Sequence, residues 1–208
     1  MRTKTLILTA AALAAGIASS SAQQVFSVNA VGYVNLTAKH GFQMIANPLN
    51  AADNKISALL PNVSDGSTVY KFNGTTYAVN SFQFGAWDDA NMTLVPGEGA
   101  FFLNPDAADQ NLTFVGEVKQ GNLSHAVPKG FSIQSSEVPQ TGKLGADLKF
   151  PAVDGDVVYQ FDATKQTYNI SSFDFGAWSP ADPTVNVGES FFVNKFAAGS
   201  WDRQFSVQ

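Results

Sequence analysis

Two copies of the sequence Phe-Gly-Ala-Trp, at residues 84–87 and 175–178, are the first candidates for a binding function. A pyranose ring presents a face of C–H groups, so an exposed indole of Trp87 or Trp178 could stack on a sugar. The structural alternative is that each indole closes one end of a hydrophobic core, with the glycine allowing close backbone approach. The sequence alone leaves both interpretations open.

Three aspartates beside these blocks extend the candidate site. Asp88 and Asp89 follow the first tryptophan directly, and Asp174 precedes the second block. Ionised carboxylates accept hydrogen bonds, so all three could bind sugar hydroxyls. A carbohydrate site would therefore consist of the two tryptophans and these three aspartates.

Enzymatic chemistry is not expected from the remaining residues. Glycoside hydrolysis needs two carboxylates about 5–9.5 Å apart in one cleft, whereas Glu98 and Glu189 lie at equivalent positions of two repeat copies. Each glutamate follows a glycine, and we predict a turn in which its carboxylate accepts backbone N–H groups. The sequence contains no Gly-x-Ser-x-Gly elbow for a nucleophilic serine. We predict that the protein is not an enzyme.

No cofactor and no metal site are expected either. The chain has no cysteine and two histidines, His40 and His125, which we predict to be exposed loop residues. The segments Asp65-Gly66 and Asp154-Gly155-Asp156 offer the carboxylate oxygens that calcium prefers, but they follow no EF-hand pattern. We predict surface turns at both places.

Charge argues against a nucleic-acid partner, and the first residues indicate export. The 208 residues include 12 basic and 17 acidic side chains, the opposite of a phosphate-binding surface. Arg2 and Lys4 precede an apolar stretch that runs to Ile17, so residues 1–22 match a secretory signal peptide. The remainder has no apolar stretch long enough to span a membrane. We expect a periplasmic, cell-surface or extracellular protein.

An internal repeat is the clearest signal in the sequence. Several blocks recur in the same order at a spacing of about 90 residues. The aligned blocks include Gly41-Phe42 with Gly130-Phe131, Phe101-Phe102 with Phe191-Phe192, and Asn35-Leu36-Thr37 with Asn122-Leu123-Ser124. We predict two modules, residues 23–118 with an N-terminal strand and residues 119–208.

Alternation of apolar and polar residues predicts strands throughout both modules. The predicted strands are 25–36, 69–72, 77–84, 100–103, 112–118, 157–161, 168–175, 190–193 and 204–207. One short helix is predicted from Asp53 to Leu60, ending before Pro61. The fold class is therefore all-β: two tandem small antiparallel sandwiches or open barrels, packed together.

The connection between the modules is too short for a flexible linker, so we expect one rigid unit. Similar phenylalanine-containing triplets at 26–28, 114–116 and 205–207 suggest that each module is completed by a strand at its border. We expect residues 25–36 to pair with the first module, and residues 114–118 to pack in the same way near the second module. At least half of Phe26, Val28, Val31 and Tyr33 should be buried.

Several blocks together resemble a known group of sequences. They are the start Val-Asn-Ala-Val-Gly-Tyr-Val-Asn at 28–35, Val-Tyr-Lys-Phe-Asn-Gly at 69–74, Phe-Gly-Ala-Trp at 84–87 and Gly-Glu-Gly-Ala-Phe-Phe at 97–102. The chain resembles uncharacterised exported bacterial proteins built from tandem β-modules, similar to modules of surface-layer and adhesin-like proteins. This resemblance implies no catalytic residues.

These observations favour an exported, non-enzymatic structural or interaction protein of the cell envelope or extracellular space. Its expected partners are envelope components or extracellular glycans. The alternative is a carbohydrate-binding protein that uses Trp87 and Trp178. The sequence does not determine the oligomeric state.

Overall fold

The computed structural model describes residues 30–207, and the predicted signal peptide lies outside them. Within this range the chain is all-β, as predicted, apart from one helical turn, α1 (Ile56–Leu59). The first module contains β1 (Val31–Ala38), β2 (Gly41–Ile45), β3 (Thr68–Phe72), β4 (Tyr77–Gln83), β5 (Ala86–Trp87), β6 (Ala100–Asn104) and β7 (Gln110–Glu117). The second contains β8 (Gly121–Val127), β9 (Gly130–Ser135), β10 (Gly142–Lys143), β11 (Asp156–Asp162), β12 (Thr167–Asp174), β13 (Ala177–Ser179), β14 (Thr184–Val185), β15 (Ser190–Lys195) and β16 (Gly199–Phe205). Among the described residues, no helix has the length and apolar character needed to cross a membrane.

Each module combines a five-stranded antiparallel sheet with a two-stranded ribbon. The strand order is β2-β6-β3-β4-β5 in the first sheet and β9-β15-β11-β12-β13 in the second. The ribbons are β1 with β7 and β8 with β16. The second module also contains the short pair of β10 with β14. Apart from that pair, the same succession of strands occurs twice, which gives the tandem arrangement that the repeat predicted.

The ribbon of each module packs on one face of its sheet and forms a separate core there. The first core joins Val34, Leu112 and Phe114 of the ribbon to Ile45, Val69 and Phe102 of the sheet. The second joins Val127 and Trp201 of the ribbon to Val158, Phe191 and Val193 of the sheet. Side chains alternate between the two faces of a strand, so the opposite faces of both sheets are left to pack elsewhere.

Those opposite faces pack against each other and join the modules. The Ala46 N–H donates to the Gly188 carbonyl at 2.8 Å, and the Ser135 N–H donates to the Gly97 carbonyl at 3.0 Å. Ala46 is equivalent to Ser135 in the repeat, and Gly97 is equivalent to Gly188. Because the two bonds are reciprocal, an approximate two-fold rotation relates the modules, as in an isologous dimer interface.

The strand register corrects the repeat alignment by one residue. Phe101 pairs with Met44, and Phe192 pairs with Ile133, which is the equivalent of Met44. Phe101 therefore corresponds to Phe192 and not to Phe191, as the sequence comparison suggested. A one-residue slip moves every side chain to the other face. Accordingly, Phe101 and Phe192 face the other module, whereas Phe191 lies in the core of its own.

The prediction of border strands is wrong in one respect and right in another. Residues 31–36 do pair with the first module, in β1. However, β7 closes the ribbon of its own module and is not shared with the second. Val31 and Tyr33 are both exposed, because the ribbon turns only one face towards the core. The prediction that at least half of the four apolar residues are buried therefore depends on the other two. Phe26 and Val28 lie outside the described residues.

Local predictions were accurate for most strands and weaker for the helix. The helix predicted from Asp53 to Leu60 is reduced to one turn without a side-chain cap, since Asp53 bonds the Lys55 N–H just before it. The sequence did not predict β2, β8 and β9 or the short strands β5, β10, β13 and β14. The strand predicted at 204–207 overlaps β16 only at the last two residues of β16. The connection between β7 and β8 spans only residues 118–120, in line with the short linker.

Candidate functional site

Ten aromatic side chains, five from each module, border the contact between the two sheets. This aromatic interface consists of Phe42, Tyr70, Phe72, Tyr77 and Phe101 with their equivalents Phe131, Tyr159, Phe161, Tyr168 and Phe192. Two equivalent ring contacts cross between the modules, Phe101 with Phe161 and Phe72 with Phe192, each at 5.3 Å between centroids. Both are edge-to-face, the favourable geometry for rings with a negative face and a positive edge.

A groove of about 550 Å³ opens beside this interface. We call it the aromatic groove; its lining residues are Phe42, Tyr70, Tyr77, Phe101, Phe161, Gln166 and Tyr168. Within the described part of the chain, none of these lining side chains carries a formal charge. The groove therefore suits a neutral ligand with an apolar face.

The polar groups of the aromatic groove are the phenols of Tyr70, Tyr77 and Tyr168 and the carboxamide of Gln166. Tyr77 and Tyr168 are 38% and 39% exposed. Burial raises the pKa of both Tyr77 and Tyr168 above the ordinary value, which already lies well above neutral pH. Both phenols are protonated at neutral pH and can donate as well as accept hydrogen bonds.

Trp87 lies in the core of the first module, whereas Trp178 lies at the margin of the second core. Trp87 is 6% exposed, packs against Phe82 at 5.5 Å between centroids, and donates its indole N–H to the Leu60 carbonyl at 2.9 Å. Trp178 is half-buried and packs against Phe173 in the same way, at 5.1 Å. The sugar-stacking role that the sequence left open for Trp87 is wrong, because its ring faces the core.

The three candidate aspartates do not converge on one site. Asp88 and Asp89 are exposed beside β5, and Asp89 accepts the Asn91 N–H at 2.8 Å in a local turn. Asp174 is exposed at the end of β12. Because β5 and β13 are edge strands of different sheets, the two Phe-Gly-Ala-Trp blocks lie apart. The structure therefore supports two separate hairpin ends and not a combined carbohydrate site.

The exposed residues of these hairpins are the phenylalanines. Phe84 and Phe175 are 95% and 99% exposed. Each begins a two-residue turn with glycine, and the φ angles of Phe84 and Gly85 are 53° and 79°, those of Phe175 and Gly176 52° and 75°. Positive φ at both central residues is typical of a type I′ turn. Glycine adopts this backbone freely, but phenylalanine is strained there.

The Asp-Gly segments proposed as surface turns stabilise these hairpin ends. The carboxylate of Asp154 accepts the Gly176 N–H at 2.9 Å, and Asp65 accepts the Gly85 N–H at 3.4 Å. Within the described residues, no group of three or more acidic, histidine or cysteine side chains is placed to hold a metal ion. The prediction of surface turns is right for Asp65-Gly66 and for Asp154-Gly155, which are exposed. It is wrong for Asp156, which is fully buried at the start of β11.

The two Gly-Glu glutamates accept backbone N–H groups, as predicted. Glu98 bonds the Val95 N–H at 3.0 Å, and Glu189 bonds the Asn186 N–H at 2.9 Å. Their remaining partners differ, because Lys71 forms an ion pair with Glu98 where Gln160 contacts Glu189. Burial without a cation raises the pKa of Glu189 above its usual value, although the three hydrogen bonds from Asn186 and Gln160 oppose the shift.

The prediction of exposed loop histidines is right for His40 and wrong for His125. His40 is exposed and its Nδ1 contacts the Asp106 carbonyl at 2.8 Å. His125 lies within β8, with its Nδ1 3.4 Å from a carboxylate oxygen of the buried Glu137. Lys119 also pairs with Glu137. This cluster replaces apolar residues of the first module, so the repeat comparison gave no reason to expect it.

Comparison with models of protein families, with curated protein sequences and with solved structures found no match in any of the three. Function must therefore be inferred from the chain itself. The residues that sequence reasoning missed are those of the aromatic interface and the two hairpin phenylalanines. One sequence signal could have indicated the aromatic interface: the pattern Tyr-x-Phe occurs in both copies, at residues 70–72 and 159–161. A spacing of two residues places both rings on the same face of a strand.

Proposed function

We propose that the chain is an exported, non-enzymatic interaction or structural protein of the cell envelope or extracellular space. One observation carries this proposal: Phe84 and Phe175 are almost fully exposed in a left-handed backbone. That conformation costs an L-residue about 1–2 kcal/mol. An exposed ring does not stabilise the core and therefore does not offset this backbone strain. Contact with a partner would explain why both copies have phenylalanine at this position.

Export is proposed from the sequence of residues 1–22 and from the resemblance to exported bacterial β-module proteins. Fractionation of the cells that produce the protein, followed by mass spectrometry, tests this step. We expect peptides that begin at Gln23 in the envelope or medium fraction. Recovery of the uncleaved chain in the cytoplasm would refute it.

Substitution of the hairpin phenylalanines tests the interaction role. Phe84→Asn and Phe175→Asn relieve the backbone strain, since asparagine tolerates the left-handed region. We expect the double variant to be more stable than the parent but to sediment less with the envelope fraction. The control is Val79→Ala, which removes an exposed apolar side chain from the middle of β4. Unchanged sedimentation of the double variant would exclude the hairpin ends as contacts.

Carbohydrate binding is a second candidate, and it rests on the aromatic groove rather than on the tryptophans. The groove has aromatic walls, uncharged lining residues and protonated phenols at its rim. A neutral sugar offers the complementary surface, an apolar C–H face with hydroxyls at its edge. The volume of about 550 Å³ lies within the roughly 300–1,000 Å³ of small-molecule sites.

A glycan array with neutral and acidic oligosaccharides tests this second candidate. We expect binding of neutral glycans, weakened by Tyr77→Ala and by Tyr168→Ala. Val79→Ala is again the matched control, because it lies two residues from Tyr77 and does not line the groove. Exclusive binding of acidic glycans, or equal binding by the tyrosine variants, would refute it.

A further inference from the structure

Gln166 of the second module completes the edge of the first module's sheet. Its side-chain oxygen accepts the Phe42 N–H at 3.0 Å, and its side-chain nitrogen donates to the Phe42 carbonyl at 2.9 Å. Phe42 lies in β2, the edge strand of its sheet. The carboxamide therefore replaces, at one residue, the neighbouring strand that this edge lacks. Gln166 holds this position in a left-handed backbone with φ 52°.

Among residues 30–207, none covers the equivalent edge in the second module in this way. Phe131 of β9 is equivalent to Phe42, and its ring makes the equivalent contacts with Tyr159 and Phe192. Gln166 lies in a loop of the second module that is two residues longer than its counterpart between Phe72 and Tyr77. In the shorter loop, the Asn73 side chain instead accepts the N–H groups of Thr75 and Thr76 within the loop itself. By the shared register, the Phe131 N–H and carbonyl point away from β15, at the edge of the sheet that lines a groove.

Two glycines show the difference between these edges directly. A Cβ added at Gly41, beside Phe42, would lie 3.0 Å from the Gln166 side-chain oxygen. A Cβ added at Gly130, beside Phe131, would meet no atom of the described residues within 4 Å. The local backbone is otherwise alike, with φ 91° and 84° at the two glycines. The space taken by the carboxamide on one side is thus open on the other.

The open edge faces a groove of about 600 Å³ between the modules, here called the edge groove. One end is closed where Ser135 bonds the Gly97 carbonyl and Gln134 bridges to Glu98, so a short segment of the first module already pairs with β9 there. The other end is open at Gly130. Lys129 and the Lys71–Glu98 ion pair line the edge groove. Because the ion pair is neutral overall, Lys129 gives these three side chains a net charge of +1.

We propose that the edge groove binds an extended peptide segment of another protein, which adds a short strand to β9 at Phe131. This peptide-binding proposal rests on the proposed role as an interaction protein, and it specifies the kind of partner, an extended peptide. The occupant must present a donor and an acceptor side by side, as Gln166 does to Phe42. One residue of an extended strand does so, whereas a trans secondary amide such as an N-acetyl group does not. Lys129 favours a peptide that carries an acidic residue.

Hydrogen exchange tests the state of the free edge. In the free protein, the Phe131 N–H should exchange faster than the Phe42 N–H, which Gln166 protects. Gln166→Ala should bring the Phe42 N–H to the exchange rate of Phe131 and leave the Phe131 N–H unchanged. A protected Phe131 N–H in the monomeric free protein would overturn the proposal.

Binding is tested with an array of blocked hexapeptides in which each position is varied. We expect a set of extended, acidic peptides to bind, and N-methylation of the pairing peptide N–H to weaken binding about tenfold, the equivalent of one hydrogen bond. Phe131→Pro, which removes the strand's own donor, should have a similar effect. Phe131→Leu keeps the donor and should bind more tightly than the proline variant.

A loop exchange gives the decisive variant. Replacing residues 73–76 with the sequence of residues 162–167 gives the first module the longer loop and its glutamine, which should then cover Phe131 and abolish peptide binding. The proline variant decides the matter if the exchanged chain does not fold. The proposal would be overturned if no peptide bound, or if peptide binding survived both N-methylation and Phe131→Pro. Binding of N-acetylated sugars alone would also overturn it. Envelope localisation and the effect of Phe84 would be unaffected by that failure.

Discussion

Lys195 and Asp156 form a buried ion pair in the second module, and its removal should be strongly destabilising. Both side chains are almost completely buried, with Lys195 2% and Asp156 0% exposed. The ammonium also donates to the Pro151 carbonyl at 2.6 Å, and the carboxylate accepts the Phe196 N–H at 2.8 Å. Removing one partner leaves an uncompensated charge away from water.

The first module has neutral residues at the same two positions. Asn104 occupies the position of Lys195, and Ser67 occupies that of Asp156, with both residues fully buried. They are connected through Gln110, whose side-chain nitrogen donates to both. We expect Asp156→Ser or Lys195→Asn alone to cost about 3–5 kcal/mol. At about 2–4 °C per kcal/mol for a chain of this size, each variant should melt roughly 6–20 °C below the parent.

The double variant, with serine and asparagine together, should be more stable than the less stable single variant. Its coupling free energy should be at least about 2 kcal/mol, measured by urea unfolding of all four proteins. Asp109→Ser is the control, since it breaks the exposed Lys39–Asp109 pair and should cost at most about 1 kcal/mol. Strictly additive single effects would refute the reasoning, because they would mean that the two charges do not depend on each other.

Three further variants test the core, the module contact and the pH dependence. Trp87→Ala should lower the free energy of unfolding by about 3–5 kcal/mol in urea titrations, and a loss below about 1 kcal/mol would contradict a core position. Gly188→Ala places a Cβ 2.5 Å from a side chain of the first module, whereas the same change at Gly176, with a similar positive φ, meets open space. Gly188→Ala should therefore melt lower, and equal melting temperatures would contradict the close contact. Because the folded pKa of Glu189 is raised, its ionisation costs stability, so stability should fall as the pH rises through that pKa. Gln160→Lys should lower the pKa of Glu189 in an NMR titration and reduce this pH dependence in melts, whereas an unchanged titration would contradict the assigned cause.

Sequence patterns were sufficient to predict the fold class and the two-fold repetition of the module. Alternation at period two predicts strands because successive side chains point to opposite faces. Turn residues give a similar signal: Asn73-Gly74, a dipeptide typical of hairpin turns, lies between β3 and β4. Both kinds of signal are local, since they depend on the conformation of a few consecutive residues.

Positions that depend on distant contacts were not predictable in the same way. The sequence comparison aligned Phe101 with Phe191, but pairing with β2 and β9 shifts the match to Phe192. A gap can be placed one residue earlier or later with little change in sequence similarity. Only pairing with a neighbouring strand determines which ring enters the core and which faces the other module.

The candidate site depended still more on the tertiary structure. The sequence singled out Trp87 because of its size and chemistry, yet an indole in a glycine-rich block is equally suited to a core or a surface. Gln166 was not predicted as a site residue, because a glutamine in a loop has no distinctive sequence pattern. Its role arises because the approximate two-fold packing brings the longer loop of one module over the sheet edge of the other. Local sequence thus determined the strands and their repetition, whereas packing between segments more than 100 residues apart decided which edges are covered and which remain open.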